Sequence, residues 1–327
     1  MIDVNNFPLK EIEEMTRSTR KIGLGVMGVA DLLFALRLPY DSREGLAFME
    51  NLMEFINYES KIASIKLAEN RGAFPLYKQS SFSKGKMPFA GFYDRKSWHC
   101  EWKKVSDEVT QHGIRNSYTT VIAPTGSISM IAGISSGIEP VFSLVYEKNV
   151  AVGSFYYIDT EFELAMKEFG IYDEALLKDI VVMRGGLQKL SYLPPVIKKV
   201  FRTAHDLNPE SHIRALAAFQ KWVDSSISKT INYPANATVE DMKKSYLLAY
   251  ELGCKDVAVY RDSSIKNQVL QVPGNSPENS KNTKDQSGNE NGENGGGKPT
   301  VCPKCAIKLV RGEGCLKCPE CGWGLCA

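Results

Sequence analysis

Thr119-Thr-Val-Ile122, followed directly by Ala123-Pro-Thr-Gly-Ser-Ile-Ser129, is the stretch that decides the fold. The first four residues are all β-branched, the composition of a short buried strand. The seven that follow are mostly small or hydroxylated and include a proline and a glycine, so the strand ends in a tight turn. A turn of this kind after a parallel strand exposes backbone N–H groups and hydroxyls. Those are the ingredients of a phosphate cradle, above all where a helix begins at the turn. The plainer reading is an ordinary strand-to-helix connection. Ile131-Ala-Gly-Ile-Ser-Ser-Gly-Ile138 continues the small-residue theme, and Glu139-Pro140 follows.

Outward from this stretch the chain alternates helical and extended patterns. Arg43 to Asn70 places Leu46, Met49, Leu52, Met53, Ile56, Ile62, Ile65 and Leu67 near helical spacing, and Asn70-Arg-Gly72 is a C-terminal signal. Ser211 to Val223 and Val239 to Leu252 read as further helices. Thr238 and Asp241 form an N-cap pair for the latter, and Gly253 closes it. Val257 to Tyr260 is another strand. Helices alternating with short apolar strands predict a parallel α/β architecture over residues 1–267. Residues 268–300 then read as a linker. From Val272 they are Asn, Gly, Glu, Ser and Lys with almost nothing apolar, so burial does not offset their ordering entropy and disorder is expected. Such a linker has a root-mean-square reach of roughly 30 Å. Residues 301–327 form a separate cysteine-rich module.

Composition narrows the function classes. The chain has 327 residues, 43% hydrophobic and 24% charged, and a formal net charge of +2. That balance is too small to argue for nucleic acid or an acidic membrane surface. No apolar run is long enough to span a bilayer, and Met1-Ile-Asp-Val-Asn-Asn-Phe-Pro8 lacks the basic and apolar regions of a signal peptide. A cytoplasmic location is the expectation.

Cys100 and Cys254 are isolated, whereas the other six of eight cysteines crowd the C-terminus. Cys302-Pro-Lys-Cys305 and Cys318-Pro-Glu-Cys321 are two C-P-x-C knuckles twelve residues apart. Four thiolates in two such pairs suit a tetrahedral structural zinc, which would also supply folding energy to a module with almost no apolar core. Cys315 and Cys326 are left over. If the second knuckle turns a β-hairpin, these two face each other across it as a dithiol shuttle. The alternative puts Cys315 and Cys318 on the metal and leaves Cys321 and Cys326 as the shuttle. Spacing leaves both open, and incidental thiols are the bland reading. The tail carries three Lys, one Arg and two Glu, a weak basic excess that would fit a nucleic-acid-binding zinc ribbon.

Gly23-Leu-Gly-Val-Met-Gly28 fits the dinucleotide fingerprint, and with it an NAD(P)-dependent dehydrogenase. The preceding segment, Glu11 to Lys21, is polar and helical in pattern rather than a hydrophobic strand. Ile22, Val26, Val29 and Leu33 fall at helical spacing, so the glycines are expected to permit close helix packing. His99, His112, His205 and His212 make no metal spacing and read as surface or satisfied polar residues. Thr238 in Asn236-Ala-Thr is better read as an N-cap than as part of a glycosylation sequon.

Four segments together resemble the large catalytic chain of ribonucleotide reductases. They are Arg20-Lys-Ile-Gly-Leu-Gly-Val-Met-Gly28, Ala123 to Ser129, Ser135-Ser-Gly-Ile-Glu-Pro-Val-Phe142 and Gly253-Cys-Lys-Asp-Val-Ala-Val-Tyr-Arg-Asp262. Ser228-Lys-Thr-Ile-Asn232 and the closing cysteines look like the class II, adenosylcobalamin-dependent branch. The resemblance covers residues 1–267 and 301–327. It implies the C-terminal part of a ten-stranded α/β barrel, with Pro124, Thr125, Gly126, Ser127 and Ile128 holding the phosphates of a ribonucleotide substrate. It implies that the C-terminal cysteines re-reduce an active-site disulfide, themselves recharged by a thioredoxin-like reductant. A di- or triphosphate substrate and the presence of effectors stay open.

The departures are as informative. The family's radical cysteine lies in an Asn-x-Cys-x-Glu loop, and one reducing cysteine in a Cys-Asn-Leu-Gly-Ser-Ile-Asn segment; neither string occurs here. Neither Cys100 nor Cys254 sits in a matching motif. The expectation is therefore an incomplete barrel that works with an N-terminal half carrying the radical chemistry, as a split enzyme, an intein product or a gene fragment. A nucleotide-binding regulatory relative is the non-enzymatic alternative.

Overall fold

The computed structural model describes residues 1–150, 153–183, 185–262 and 264, and in the C-terminal part residues 302, 305, 310–312, 315–317, 320, 321 and 324–326. The linker expected at 268–300 lies outside the described residues. The chain divides into two compact units, Met1–Pro277 and Glu278–Ala327.

In the first unit the helices are α1 (Lys10–Thr19), α2 (Val29–Ala35), α3 (Arg43–Arg71), α4 (Trp102–His112), α5 (Gly126–Ala132), α6 (Thr160–Glu168), α7 (Glu174–Val182), α8 (Pro195–Val200), α9 (Pro209–Gln220) and α10 (Val239–Glu251). Its strands are β1 (Val145–Val150), β2 (Gly153–Ile158), β3 (Thr230–Tyr233) and β4 (Ala258–Arg261). β1 and β2 form an antiparallel hairpin. The rest of the extended backbone is parallel. Leu24 bridges Thr120, Ile122 bridges Ile227, and β3 pairs with β4 in register from Thr230↔Ala258 to Tyr233↔Arg261. Four extended segments thus lie neighbour to neighbour in chain order, with helices in every connection. That is the α/β organisation expected, since parallel neighbours require crossovers.

Local chemistry accounts for the element ends. The Ser42 hydroxyl accepts the Gly45 N–H and starts α3, and Gly72 closes it at φ +76°. The expected capping box of α10 is present: the Thr238 hydroxyl accepts the Asp241 N–H and the Asp241 carboxylate accepts the Thr238 N–H. The helix expected from Ser211 begins earlier, at Pro209, because Asn208 caps it and proline suits its first turn.

Gly23–Gly28 corrects an expectation. This segment is not helical; α2 begins only at Val29, and the Leu24 N–H donates to the Thr119 carbonyl. A Cβ at Gly23 would stand 2.2 Å from the Val121 side chain, and one at Gly25 2.4 Å from the Val121 carbonyl oxygen. These glycines permit close approach of two extended backbones, not of two helices.

The core has one large apolar cluster around α3, α4 and α9, and a second around α6, α7 and α8. Trp102 stacks on Trp222 at 5.6 Å between ring centroids. The buried face of α3 is not purely apolar. Glu54, Asn57, Lys61 and Ser64 sit at successive i+3 and i+4 positions and are all buried. Each is satisfied. Glu54 accepts the His99 and Cys100 N–H groups and the Trp102 indole N–H, and Ser64 donates to Asn116. Lys61 pairs with Asp224, both side chains being fully buried, and also donates to the Thr119 hydroxyl at 2.7 Å. Burial lowers the Lys61 ammonium pKa, and Asp224 opposes that shift. The same Asp224 oxygen accepts the Thr119 N–H at 2.7 Å and the Thr120 N–H at 3.2 Å. The strand leading to the small-residue turn therefore hangs from one buried carboxylate.

Removing one partner of such a pair strands the other charge. Lys61→Met should cost on the order of 3–5 kcal/mol in urea unfolding, and a loss under about 1 kcal/mol would show that the pair does not hold the strand. A second test uses pH. Asp159 caps α6 by accepting the Phe162 N–H, and burial, with Asp31 nearby, pushes its carboxyl from 3.8 up to about 6. The folded chain therefore holds a proton that the unfolded chain releases, so stability falls as pH rises from 3.8 to about 6 and the cost is complete above that. Asp159→Asn keeps a capping oxygen. It should raise the melting temperature at pH 7.5 and leave it nearly unchanged at pH 4; an equal shift at both would sink this assignment.

Candidate functional site

The turn expected to bind phosphate lies at the end of the segment held by Asp224. Thr125 is the N-cap of α5 and adopts φ +53°, a left-handed conformation that costs a non-glycine residue of order 1 kcal/mol. A helix does begin at the turn, as the cradle requires, although it has only seven residues. The Ser129 N–H closes back on the Thr125 carbonyl at 2.9 Å. The N–H groups of Gly126, Ser127 and Ile128 have no backbone or side-chain acceptor among the described residues. They are the first-turn donors that no helix satisfies internally. Pro124, Gly126, Ser127 and Ile128 are exposed, and Thr125 is half-buried.

The turn is braced from the side by residues 135–139. The Gly137 N–H donates to the Thr125 hydroxyl at 2.7 Å, and the Ser136 hydroxyl donates to the Pro124 carbonyl at 2.6 Å. Asp31 on α2 accepts both the N–H and the hydroxyl of Ser135. Glu139 accepts the Thr230 N–H at 2.6 Å and the Lys229 ammonium at 2.5 Å. Lys229 is fully buried and reaches His212 Nδ1 at 3.0 Å. An ammonium only donates, so Nδ1 carries the lone pair and Nε2–H faces the Ala204 carbonyl at 3.3 Å. Burial and the Lys229 charge push the His212 pKa down to about 2, so this imidazole is neutral. His212 was expected to be a satisfied polar residue, and it is one. The cluster it joins escaped sequence reasoning. The available signal was that Glu139 and Lys229 both lie in segments that stand out as motifs.

The same geometry disposes of the dinucleotide reading. The N–H of Gly28 donates to the Ser135 carbonyl at 2.8 Å and that of Val29 to the Gly137 carbonyl at 3.5 Å. Asp31 occupies the first turn of α2. A pyrophosphate there would meet amides already engaged and a carboxylate.

In the second unit, β5 (Val310–Gly312), β6 (Cys315–Lys317) and β7 (Gly324–Cys326) form an antiparallel sheet in the order β5-β6-β7. The residues between β6 and β7 include the second knuckle, so that knuckle does join a hairpin, and Cys315 is the register partner of Cys326. Cys302, Cys305 and Cys321 bring their sulfurs within 4.8 Å of one another. Cys302 Sγ lies 3.5 Å from Cys321 Sγ, and Cys305 Sγ 3.6 Å from it. Three soft donors from both knuckles in one cluster fit a thiolate-bound metal. Cys318, expected as the fourth ligand, lies outside the described residues. Cys100 and Cys254 are half-buried, and burial pushes both thiols up to about 11, which keeps them protonated and unreactive.

Comparison with known proteins identifies the family. The profile "Ribonucleotide reductase, barrel domain" matches residues 1–260. A vitamin B12-dependent ribonucleoside-diphosphate reductase of Thermoplasma acidophilum is 43% identical over 271 residues, which is 83% of this chain and 32% of that protein. One of the same description from Mycobacterium tuberculosis is 36% identical, over 85% of this chain and 35% of its own length. The chain thus spans about a third of the length of these curated relatives. Among solved structures, the Actinobacillus ureae class Id ribonucleotide reductase alpha subunit aligns with a TM-score of 0.63 at 24% identity, over 80% of this chain and 43% of that one, a likeness of fold. A barrel-domain match over most of the chain, reinforced by 43% identity to a relative, places this protein in the ribonucleotide reductase family, homologous to the C-terminal portion of the B12-dependent large chain.

Proposed function

We propose that this chain is the portion of a B12-dependent ribonucleotide reductase that anchors the substrate's phosphates and returns electrons to the active site. The observation that carries the reading is the turn itself. Three unclaimed N–H groups, on Gly126, Ser127 and Ile128, stand at the end of a buried parallel strand in a chain of this family. Pro124 and Thr125 shape that turn, and the Ser127 hydroxyl adds a donor. Fixing the phosphates there would hold the ribose in one place, which converts binding energy into orientation.

The radical cysteine and the reducing pair belong, on this reading, to the upstream part of the reductase, as does the rest of a ten-stranded barrel. Exposed apolar side chains fit such a neighbour. Met130 and Ile131 on α5 are 78% and 86% exposed, and Ile22 and Leu24 on the first extended segment are 47% and 49% exposed. Adenosylcobalamin would supply the initiating radical; no residue of this chain is assigned to hold it. Zinc would sit on Cys302, Cys305, Cys318 and Cys321, where it folds the small unit without taking part in electron transfer. Cys315 and Cys326, opposed across β6 and β7, are then the dithiol pair. Placing Cys321 with Cys302 and Cys305 favours this division over the one that assigns Cys321 to the shuttle.

Reduction of CDP and CTP should be measured with adenosylcobalamin and dithiothreitol, for this chain alone and combined with the upstream portion. Product is expected only from the combination; turnover by this chain alone would overturn the assignment of the radical chemistry. In the active combination, Cys315→Ser and Cys326→Ser should each leave dithiothreitol-supported turnover intact and abolish turnover driven by a thioredoxin-like protein. Loss with both reductants would assign these thiols elsewhere. Metal analysis of the purified chain should find about one zinc, lost in Cys302→Ser but retained in Cys315→Ser.

A further inference from the structure

The phosphate turn is not held by its own helix. Its brace, residues 135–139, is tied down at one end by Asp31 and at the other by Glu139. Glu139 is the only side chain of the brace that reaches the neighbouring extended segment among the described hydrogen bonds. One carboxylate oxygen takes the Thr230 N–H, the other the Lys229 ammonium. Lys229 spends its remaining donors on the Thr230 carbonyl at 3.1 Å and on His212 Nδ1. The Tyr40 hydroxyl donates to the Ile138 carbonyl at 2.6 Å and fixes the adjacent peptide.

We propose that Glu139, locked by Lys229 and through it by His212, is the positioning residue that sets the anion-binding turn. This rests on the reading of residues 124–128 as the phosphate anchor and adds the device that holds it. The chemistry of the cluster explains why these residue types are used. A carboxylate offers two coplanar charged oxygens, so one accepts the amide and the other the ammonium. Left unpaired, its charge would also oppose a phosphate; Lys229 neutralises it. Lys229 in turn tolerates full burial because Glu139 pairs its charge and the Thr230 carbonyl and His212 Nδ1 accept its other donors. The path from His212 to the turn runs through Lys229, Glu139, the peptide chain to Gly137, and the Thr125 hydroxyl.

Two variants separate positioning from electrostatics. Glu139→Gln removes a negative charge beside the turn, and Lys229→Met exposes one. A purely electrostatic role moves CDP affinity in opposite directions, tighter for the first and weaker for the second. A positioning role weakens it in both. The first measurement is amide hydrogen exchange at Gly137 and Ser129 in the full chain. Exchange is expected to accelerate about tenfold in Glu139→Gln, the loss of one charge-assisted hydrogen bond, with α3 amides unchanged. CDP titrations of both variants follow, with Glu139→Gln carrying the comparison if Lys229→Met fails to fold. Unchanged exchange at Gly137 and Ser129 overturns the inference whatever the nucleotide result, and so do opposite shifts in CDP affinity. Ser127→Glu tests the underlying reading separately. If it leaves CDP binding intact, the turn is not the phosphate anchor, while the exchange data still decide whether Glu139 sets its shape.

Discussion

The Asp224 carboxylate is the constraint on which the first unit depends. It is fully buried, yet it takes donors from three places at once: Lys61 on α3 and the N–H groups of Thr119 and Thr120. A charge in that environment is tolerable only with every lone pair answered. Moving α3, the strand or the Asp224 loop would leave a buried charge short of partners, so the three move together or not at all. Apolar packing around Trp102 and Trp222 supplies the bulk of the core, but it is non-directional. The carboxylate gives it a register, because it aligns the strand whose far end is the small-residue turn.

A second ion pair, with its lysine buried and its carboxylate half-buried, repeats the device. Glu139 and Lys229 do for the brace what Asp224 and Lys61 do for the strand. In each, a lysine holds a carboxylate that also accepts backbone N–H from extended chain, two groups at Asp224 and one at Glu139. The turn is thus fixed at its start by the strand and along its side by residues 135–139. Its own helix contributes only one short α5 and leaves its first donors free. Rigid support with unclaimed donors is what an anion site needs, because the donors meet the ligand without reorganising.

The sequence made the elements and the turn legible because they follow local rules. The β-branched run Thr119–Ile122, the capping pair Thr238 and Asp241 and the glycine after α10 each express their structure within a few residues. The polar seam of α3 was not legible. Glu54, Asn57, Lys61 and Ser64 fall at core positions, but an apolar periodicity search passes over them, since the partners that bury them lie 45 to 167 residues away in the chain. Gly23–Gly28 misled for a related reason. Its apolar residues keep a helical period, while the close approach of Val121, a non-local fact, requires extended chain there. The Glu139–Lys229–His212 cluster is non-local too, drawing one residue from each of three segments.

On the proposed reading, four thiols of the second unit hold zinc and two carry electrons. Zinc holds thiolates as ligands and removes them from disulfide exchange, so a module that needs metal to fold and thiols to carry electrons must keep the two sets apart. Cys321 lies with Cys302 and Cys305, while Cys315 on β6 and Cys326 on β7 are register partners. Directly opposed antiparallel residues have Cα atoms about 4.5–5.5 Å apart, within the range a disulfide spans. On that reading one hairpin would be anchored at its tip by metal and oxidised across its stem, without either event requiring the other's ligands.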